Sequence, residues 1–561
     1  MDRTKSITDY SPCQGGSMDA TMLNAYDQWL ARREEHARLC AAGGEDRLGA
    51  LPDDVLRLIL RRLDTRSALA TAALSRRWAR LPRDIPVLEF KVGDVLPELY
   101  RKYLRRRLDA VGRREHDSIT RKLDAAIGRY ERQSMRSFAS SVKSFLDADD
   151  SDDGHGEARR RAKAMTLELF PTHNSGPFNQ LIATAVGDWG VQELEVVVLN
   201  PTSCHDVRCS FPHHCFEDPK SHGGVLKTLK LSNCAPLPAC NCGGGGGGPL
   251  LAPPAFSSLA VLVLQAMPKW TGGCAYQRII RACPTLETLH LKSCLRRINI
   301  SIDAPASRIT ELVIDACLFQ AINLRDLPRL ESLACHGAPC IIRFGSLPRL
   351  ARLSLGFYDD PNARPGPFFP GVRNEYSILD FSSRHPDLES LVVRFTGPEM
   401  WIFPLEMDVA VPLGHLRRLL LADMPRSWDM AWTCRVLEAA RSLETLHVHV
   451  CDHDLEETLS GPAIPEPPLS FTHRALREAV VVGFRGTETQ LHFVKFLVSA
   501  CKVLESVVLL RRGRVQDKGL WDWEVAALQE QGEWSNEERD VVLREIRSGD
   551  AASSTLRIVL G

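Results

Sequence analysis

The sequence predicts an α/β protein in three parts: a small helical module, a solenoid of repeated parallel strands, and a C-terminal α/β cap. Three observations predict it. Residues 46–81 fit two short apolar helical patterns into too few residues for a sizeable core. A Leu-x-x-Leu-x-Leu-x-x-Cys/Asn pattern recurs from Leu226 onward, as stacked repeats require. Residues 476–510 then read as strand, glycine turn, amphipathic helix and strand.

The first part is DRLGALPDDVLRLILRRLDTRSALATAALSRRWARL, from Asp46 to Leu81. Pro52 suits the first position of a helix, where its missing N–H is not needed, and Asp53 and Asp54 complement the positive helix start. Val55, Leu56, Ile59, Leu60 and Leu63 recur at helical spacing. Thr65 is the expected N-cap of a second helix carrying Leu69, Ala73 and Leu74, and Ser75 opens a turn with Arg76, Arg77 and Trp78. A segment this small and apolar completes itself on a partner. The Leu-Pro-Asp-Asp start and Leu-Ser-Arg-Arg-Trp ending resemble an F-box, the module that docks substrate receptors on the Skp-type adaptor of a cullin ubiquitin ligase. The resemblance implies adaptor contacts at Leu51, Pro52, Val55, Leu56, Ile59, Leu60, Leu63, Leu74 and Trp78. The family often carries Trp where this chain has Pro82.

From Glu98 to Phe145 the chain is helical and basic, with Arg101, Lys102, Arg105, Arg106, Arg107, Arg113 and Arg114 early on. Such a run reads first as a solvated helix face and second as a contact for nucleic acid. An acidic stretch, Asp147 to Asp153, and a short basic patch at Arg159 to Lys163 follow.

The repeat pattern is met by Leu226, Leu229, Leu231 and Cys234; by Leu286, Leu289, Leu291 and Cys294; by Ile309, Leu312, Ile314 and Cys317; and by Leu443, Leu446, Val448 and Cys451. Weaker copies begin at Leu259, Leu330, Leu350, Leu388 and Leu416. The line from Leu181 to Leu199 resembles the entry to the repeats in plant F-box proteins, and the pattern itself is that of leucine-rich repeats. One unit cannot bury its apolar face alone, so neighbours stack. Period-two strands place Leu229 and Leu231 inward and Lys230 outward. The closing cysteines are expected to be buried structural thiols. The outward positions are Lys230, Gln265, Thr288, His290, Lys292, Glu311, Asp315, His336, Arg352, Arg394, Arg418, His447 and His449. Of these, Lys230, His290, Lys292, Asp315, His336, Arg394, His447 and His449 are the expected contacts for a target protein. Their mixed charge suits a protein ligand better than a phosphate-rich one.

Residues 476–510, LREAVVVGFRGTETQLHFVKFLVSACKVLESVVLL, resemble the FBD module that ends many plant F-box and leucine-rich-repeat proteins. A charged helix, Asn536–Arg547, and a last strand, Leu556–Leu560, are expected after it. The expected division is an N-terminal extension, partly helical or disordered, over 1–45; the F-box over 46–90; a basic helical linker with an acidic flexible segment over 91–162; the repeats over 163–470; and the FBD-like cap over 471–561.

Composition fits a globular intracellular adaptor: 44% of the 561 residues are hydrophobic and the formal net charge is zero, which gives no general attraction to nucleic acid or anionic membrane. No apolar run approaches the ~18 residues of a membrane span, and the N-terminus lacks a signal-peptide core. The 17 cysteines are odd in number and scattered, as reduced thiols of cytoplasm or nucleus are. Two groupings have metal-ligand residue types: Cys204, His205, Cys209, His213, His214 and Cys215, and His447, His449, Cys451 and His453. Both fall on repeat positions, and no metal or other cofactor is expected. Gly243–Gly248 lacks the Lys-Ser/Thr of a phosphate loop, and no catalytic motif is present. The resemblances together imply a non-catalytic substrate receptor with three partners: a Skp-type adaptor, through it a cullin scaffold, and a target protein. A non-degradative interaction scaffold is the alternative.

Overall fold

A computed structural model describes residues 48, 50–75, 77–78, 81, 85–112, 117–147, 162–171, 176–199, 209–212, 226–237, 256–338, 340–358, 376–377, 387–396, 402–403, 413–424, 430–451, 471–527, 534–547 and 556–561. The expected N-terminal extension, the acidic stretch after Asp147 and the Gly243–Gly248 run lie outside these residues. The chain forms two compact units, residues 1–286 and 287–561.

The first unit opens with α1 (Asp53–Leu60) and α2 (Thr65–Ala70). Pro52 stands one position earlier than expected: its ψ of 150° makes it the cap residue, outside the helix. The second helix is capped by Asp64, not Thr65. The Asp64 carboxylate accepts from the backbone N–H of Ser67 at 2.8 Å, and the Ser67 bonds hold its carboxyl below the usual range against the opposing effect of partial burial. Thr65 is buried, and its hydroxyl instead accepts from the backbone N–H of Glu89 at 2.7 Å. That bond ties α2 to the first strand, β1 (Val87–Lys91).

Two longer helices follow, α3 (Glu98–Gly112) and α4 (Asp117–Asp147). They bury Tyr100, Leu104, Ile127, Met135 and Phe138, so they are packed elements rather than a linker. Phe145 of α4 meets Phe90 of β1 at 5.8 Å between centroids and Trp189 at 5.6 Å. Of the basic run, Lys102 and Arg106 remain exposed, Arg113 and Arg114 lie outside the described residues, and two members are drawn into the packing. Arg101 is buried, and Arg107 pairs with Asp124 at 2.5 Å.

Strands β2 (Ala164–Leu169), β3 (Glu193–Val198), β4 (Thr228–Ser232) and β5 (Val261–Gln265) extend a parallel sheet from β1 in chain order. The sheet therefore starts at Val87, well before the first legible repeat. Two helices complete this unit, α5 (Gly176–Ala183) and α6 (Cys274–Ala282).

The second unit contains β6 (Thr288–Lys292), β7 (Asn299–Ile302), β8 (Glu311–Cys317), β9 (Ala321–Asp326), β10 (Ser332–Gly337), β11 (Ile341–Ser346), β12 (Arg352–Tyr358), β13 (Tyr376–Ser377), β14 (Ser390–Thr396), β15 (Ile402–Phe403), β16 (Arg418–Met424), β17 (Thr445–Val450), β18 (Glu478–Val482), β19 (Ser506–Leu510), β20 (Gly513–Asp517), β21 (Trp523–Ala527) and β22 (Arg557–Leu560). Its helices are α7 (Met430–Ala439), α8 (Glu488–Ala500) and α9 (Asn536–Arg547). One parallel sheet runs β6-β8-β10-β12-β14-β16-β17-β18-β19-β22. Between Asn299 and Ser346 the return leg of each repeat is a strand: β7, β9 and β11 form a second parallel sheet. Four to six residues such as NISI or IIRFGS are too few for a stable helix and alternate as a strand does.

Leu229, Leu231, Leu289, Leu291, Leu312, Ile314, Leu446 and Val448 all point into the core. The chain leaves several strands through one residue of positive φ: Asn233, Ala266, Ser293, Ala316 and Asp423, at 48–59°. Cys234, Cys294 and Cys317 follow that bend and are buried, as expected, whereas Cys451 is half-buried. Gly483 makes the corresponding turn after β18 with φ 78°, and a Cβ there would stand 2.2 Å from the Val450 carbonyl oxygen. The 476–510 segment continues the same ladder, β18 pairing with β17 and β19 with β18, both parallel.

Candidate protein-binding sites

The helical module separates its apolar residues into two sets. Leu56, Leu60, Ala68, Trp78 and Leu81 form its core, with Leu51, Ile59 and Ile85 packed against it. Leu56 and Leu60 are at most 1% exposed, so they hold the module together and are closed to a partner. Val55, Leu63 and Leu74 point outward, joined by Leu58, which the sequence reading passed over. Leu58 and Leu74 are the most exposed, at 60% and 67%. Pro52 is exposed beside them. The two ends of the motif meet: the Arg77 guanidinium holds the Asp53 carboxylate at 2.6 Å, closing the start of α1 against the Ser-Arg-Arg-Trp turn.

The second site is the outward face of the β10–β17 sheet. Of the expected target residues, His336, Arg394, His447 and His449 lie on its strands, while Lys230, His290, Lys292 and Asp315 lie on β4, β6 and β8; several already have partners. His290 meets Glu311 at 2.6 Å. His336 lies 2.8 Å from the Ser354 hydroxyl. Arg394 pairs with Asp423 at 3.2 Å and with Asp517. Lys230, in the first unit, is exposed; Lys292 and Asp315 are half-buried.

What covers part of this face is an antiparallel hairpin, β20 and β21, that the sequence reading did not foresee. Trp523 packs on Val392, Leu420 and Ala422, with Val515 and Val525 beside it. Its indole N–H donates to Nδ1 of His447 at 2.8 Å, while Nε2 of His447 faces Glu478 at 2.8 Å. Only the Nε2–H tautomer satisfies both bonds. Burial holds this imidazole below its usual pKa, against the opposing pull of Glu478. The Arg418 guanidinium lies 4.4 Å over the Trp523 ring and bonds Asp522 at 2.7 Å. Arg352 stands 5.4 Å over Trp521, whose indole donates to the Leu333 carbonyl at 3.2 Å. One sequence signal announced this cover. SLVVRF, RLLLAD and EAVVV are apolar on both faces, so a sheet with one solvated side does not explain them.

Asp423, His449 and Cys451 bring three metal-ligand atoms within 4.8 Å of one another. His447 is not among them, and His453 lies outside the described residues. Asp423 is already bonded to His449 at 3.1 Å and to the Arg394 cation, which makes this a hydrogen-bonded ion pair cluster. Of the other grouping, only Cys209 is described; its sulfur lies 3.8 Å from that of Cys234. Cys283 and Cys501 are free thiols whose pKa burial pushes up to about 12. Among the described residues no helix is long and apolar enough to cross a membrane.

Stacked parallel repeats that follow a two-helix module with an outward apolar face define a leucine-rich-repeat protein with a small helical module ahead of the repeats. A family profile described as At1g61320/AtMIF1, LRR domain, matches residues 158–513, and one described as F-box domain matches residues 48–90. The chain belongs to that leucine-rich-repeat family and carries an F-box. Three Arabidopsis thaliana proteins are similar over short stretches. Putative F-box/FBD/LRR-repeat protein At5g22670 is 44% identical over 50 residues, 9% of this chain and 11% of that protein. Putative F-box protein At1g67390 is 36% identical over 95 residues, 17% and 19%. F-box/FBD/LRR-repeat protein At3g52680 is 39% identical over 66 residues, 12% and 14%. The chain thus matches less than a fifth of the length of each of these relatives.

Proposed function

We propose that this chain is a non-catalytic substrate receptor of a cullin-type ubiquitin ligase. Its F-box docks on a Skp-type adaptor, which joins it to a cullin scaffold, and its repeats hold a target protein within reach of the ligase. The contribution is proximity; this chain supplies no chemistry to the transfer. One observation carries the reading: within the F-box match, Val55, Leu58, Leu63 and Leu74 stand outward around a closed core. Burying each of them on a partner contributes about 1.5–3 kcal/mol before the entropy of association is subtracted. Buried free thiols suit a reducing compartment, cytoplasm or nucleus.

The test is co-expression with a Skp-type adaptor followed by gel filtration, comparing wild type with Leu58→Asp/Leu74→Asp. A complex formed only by the wild type, with both chains folded by circular dichroism, supports the receptor. A folded wild type that forms no complex leaves the repeats as an interaction scaffold and removes the ligase role.

A further inference from the structure

The hairpin over the sheet shows what kind of ligand that face accepts. Three guanidinium groups, Arg352, Arg394 and Arg418, stand on the outward side of β12, β14 and β16. Each is answered by one feature of the segment 517–523: Trp521 under Arg352, Asp517 on Arg394, and Asp522 with Trp523 at Arg418. Between the arginines lies the apolar floor of Val392, Leu420 and Ala422, filled by the Trp523 indole. The floor and its cationic rim therefore fit an indole flanked by carboxylates.

The hairpin is held as an exchangeable occupant would be. It is an antiparallel pair, separate from the main parallel sheet. A lone two-stranded hairpin is marginal in water, so its order comes from the face beneath it. Asp517 and Asp522 are both 61% exposed at the side chain, where ion pairs contribute little. A segment of like chemistry can take over each contact in kind.

We propose that the outward face of β10–β17 is a binding site for an acidic, tryptophan-containing peptide segment of a partner protein, and that the 513–527 hairpin occupies it in cis until such a segment displaces it. This deepens the receptor reading above and rests on it for the identity of that partner as the ligase target. It predicts competition: a tethered occupant acts at an effective concentration in the millimolar range, so an outside peptide sees a weakened site.

The experiment uses the full chain and a labelled synthetic peptide spanning residues 513–527. Trp521→Ala/Asp522→Asn/Trp523→Ala releases the hairpin; Asp522→Asn/Trp523→Ala, which empties the apolar floor and keeps Trp521 in place, replaces it if the triple variant fails to fold. The released chain is expected to bind the peptide at least tenfold more tightly than wild type. Adding Arg394→Glu/Arg418→Glu is expected to reverse that gain, and a peptide with Lys at positions 517 and 522 is expected not to bind. The proposal is overturned if a folded released chain shows no gain over wild type, or if the charge-reversed peptide binds equally. Adaptor capture on the same preparations separates the two readings. Peptide failure with capture intact sinks this inference alone, whereas peptide binding without capture sinks only the ligase role.

Discussion

The F-box and the outward face of the β10–β17 sheet both direct leucines and valines away from their own cores, but only the sheet is covered. On α1 and the turn after α2, Leu58 and Leu74 stand more than half exposed. On the sheet, Val392, Leu420 and Ala422 are at most 4% exposed because Trp523 lies on them. Exposed apolar patches mark sites that await a partner, whereas covered ones have a partner already. The difference is that the F-box leaves its outward leucines open, whereas the chain's own 513–527 hairpin covers part of the sheet face; under the proposed function the open face is the one that docks an adaptor.

The strongest way to break this comparison is inside the F-box itself. Leu60→Ala removes a core side chain and is expected to destabilise the module by about 2–5 kcal/mol in thermal unfolding. Leu58→Ala, at an exposed position two residues away on the same helix, is expected to leave stability within about 0.5 kcal/mol while weakening adaptor binding. If both lost binding only, with equal stability, the assignment of core and face would be wrong.

A second variant probes the sheet rather than its cover. Gly483→Ala places a Cβ against the Val450 carbonyl at a positive φ and is expected to cost more than about 1 kcal/mol, read from urea unfolding. Unchanged stability would show that the β18 turn relaxes freely. Smaller still is the F-box cap: Asp64→Ala is expected to cost about 1 kcal/mol, and Asp64→Asn to recover most of it.

The smallest effect is a pH dependence confined to the second unit. Burial holds the imidazoles of His336, His447 and His473 below the ordinary 6.5. His473 is fixed in the neutral form by geometry as well: its Nδ1 accepts from the N–H of Leu476 at 3.1 Å, and its Nε2–H donates to the Ala440 carbonyl at 2.9 Å. Below 6.5 the unfolded chain takes up these protons first. The stabilisation is thus complete above about 6.5 and fades as pH falls through the lowered folded values. Amide exchange at residues 471–476 and 513–527 is expected to quicken between pH 7.5 and 5.5, with the F-box amides unchanged after correction for intrinsic rates. Equal quickening in the F-box would assign the effect elsewhere.

Much of this fold is legible in the sequence because a stacked repeat writes its inward positions at fixed spacing. Leu229, Leu289, Leu312 and Leu446 need only the pattern, and the cysteines that close each turn follow from it. The F-box was legible as a motif, but its faces were not. On a helix of eight residues, Val55, Leu56, Leu58, Ile59 and Leu60 leave no clean polar stripe, and packing decides which leucine turns inward. Less legible again was the hairpin. GRVQDKGLWDWEVAA contains only five-residue strands with charged neighbours, and its stability comes from arginines 100 or more residues earlier. The return-leg strands β7, β9 and β11 were missed for a related reason, since a short apolar run is shared by helix and strand.

The measurement that tests the account most directly is hydrogen–deuterium exchange of the full chain with and without a Skp-type adaptor. The account predicts slowed exchange concentrated in residues 52–75, with the β10–β17 strands and the hairpin unchanged. Protection on the sheet with none in residues 52–75, or no protection at all from an adaptor shown to be active, would contradict it.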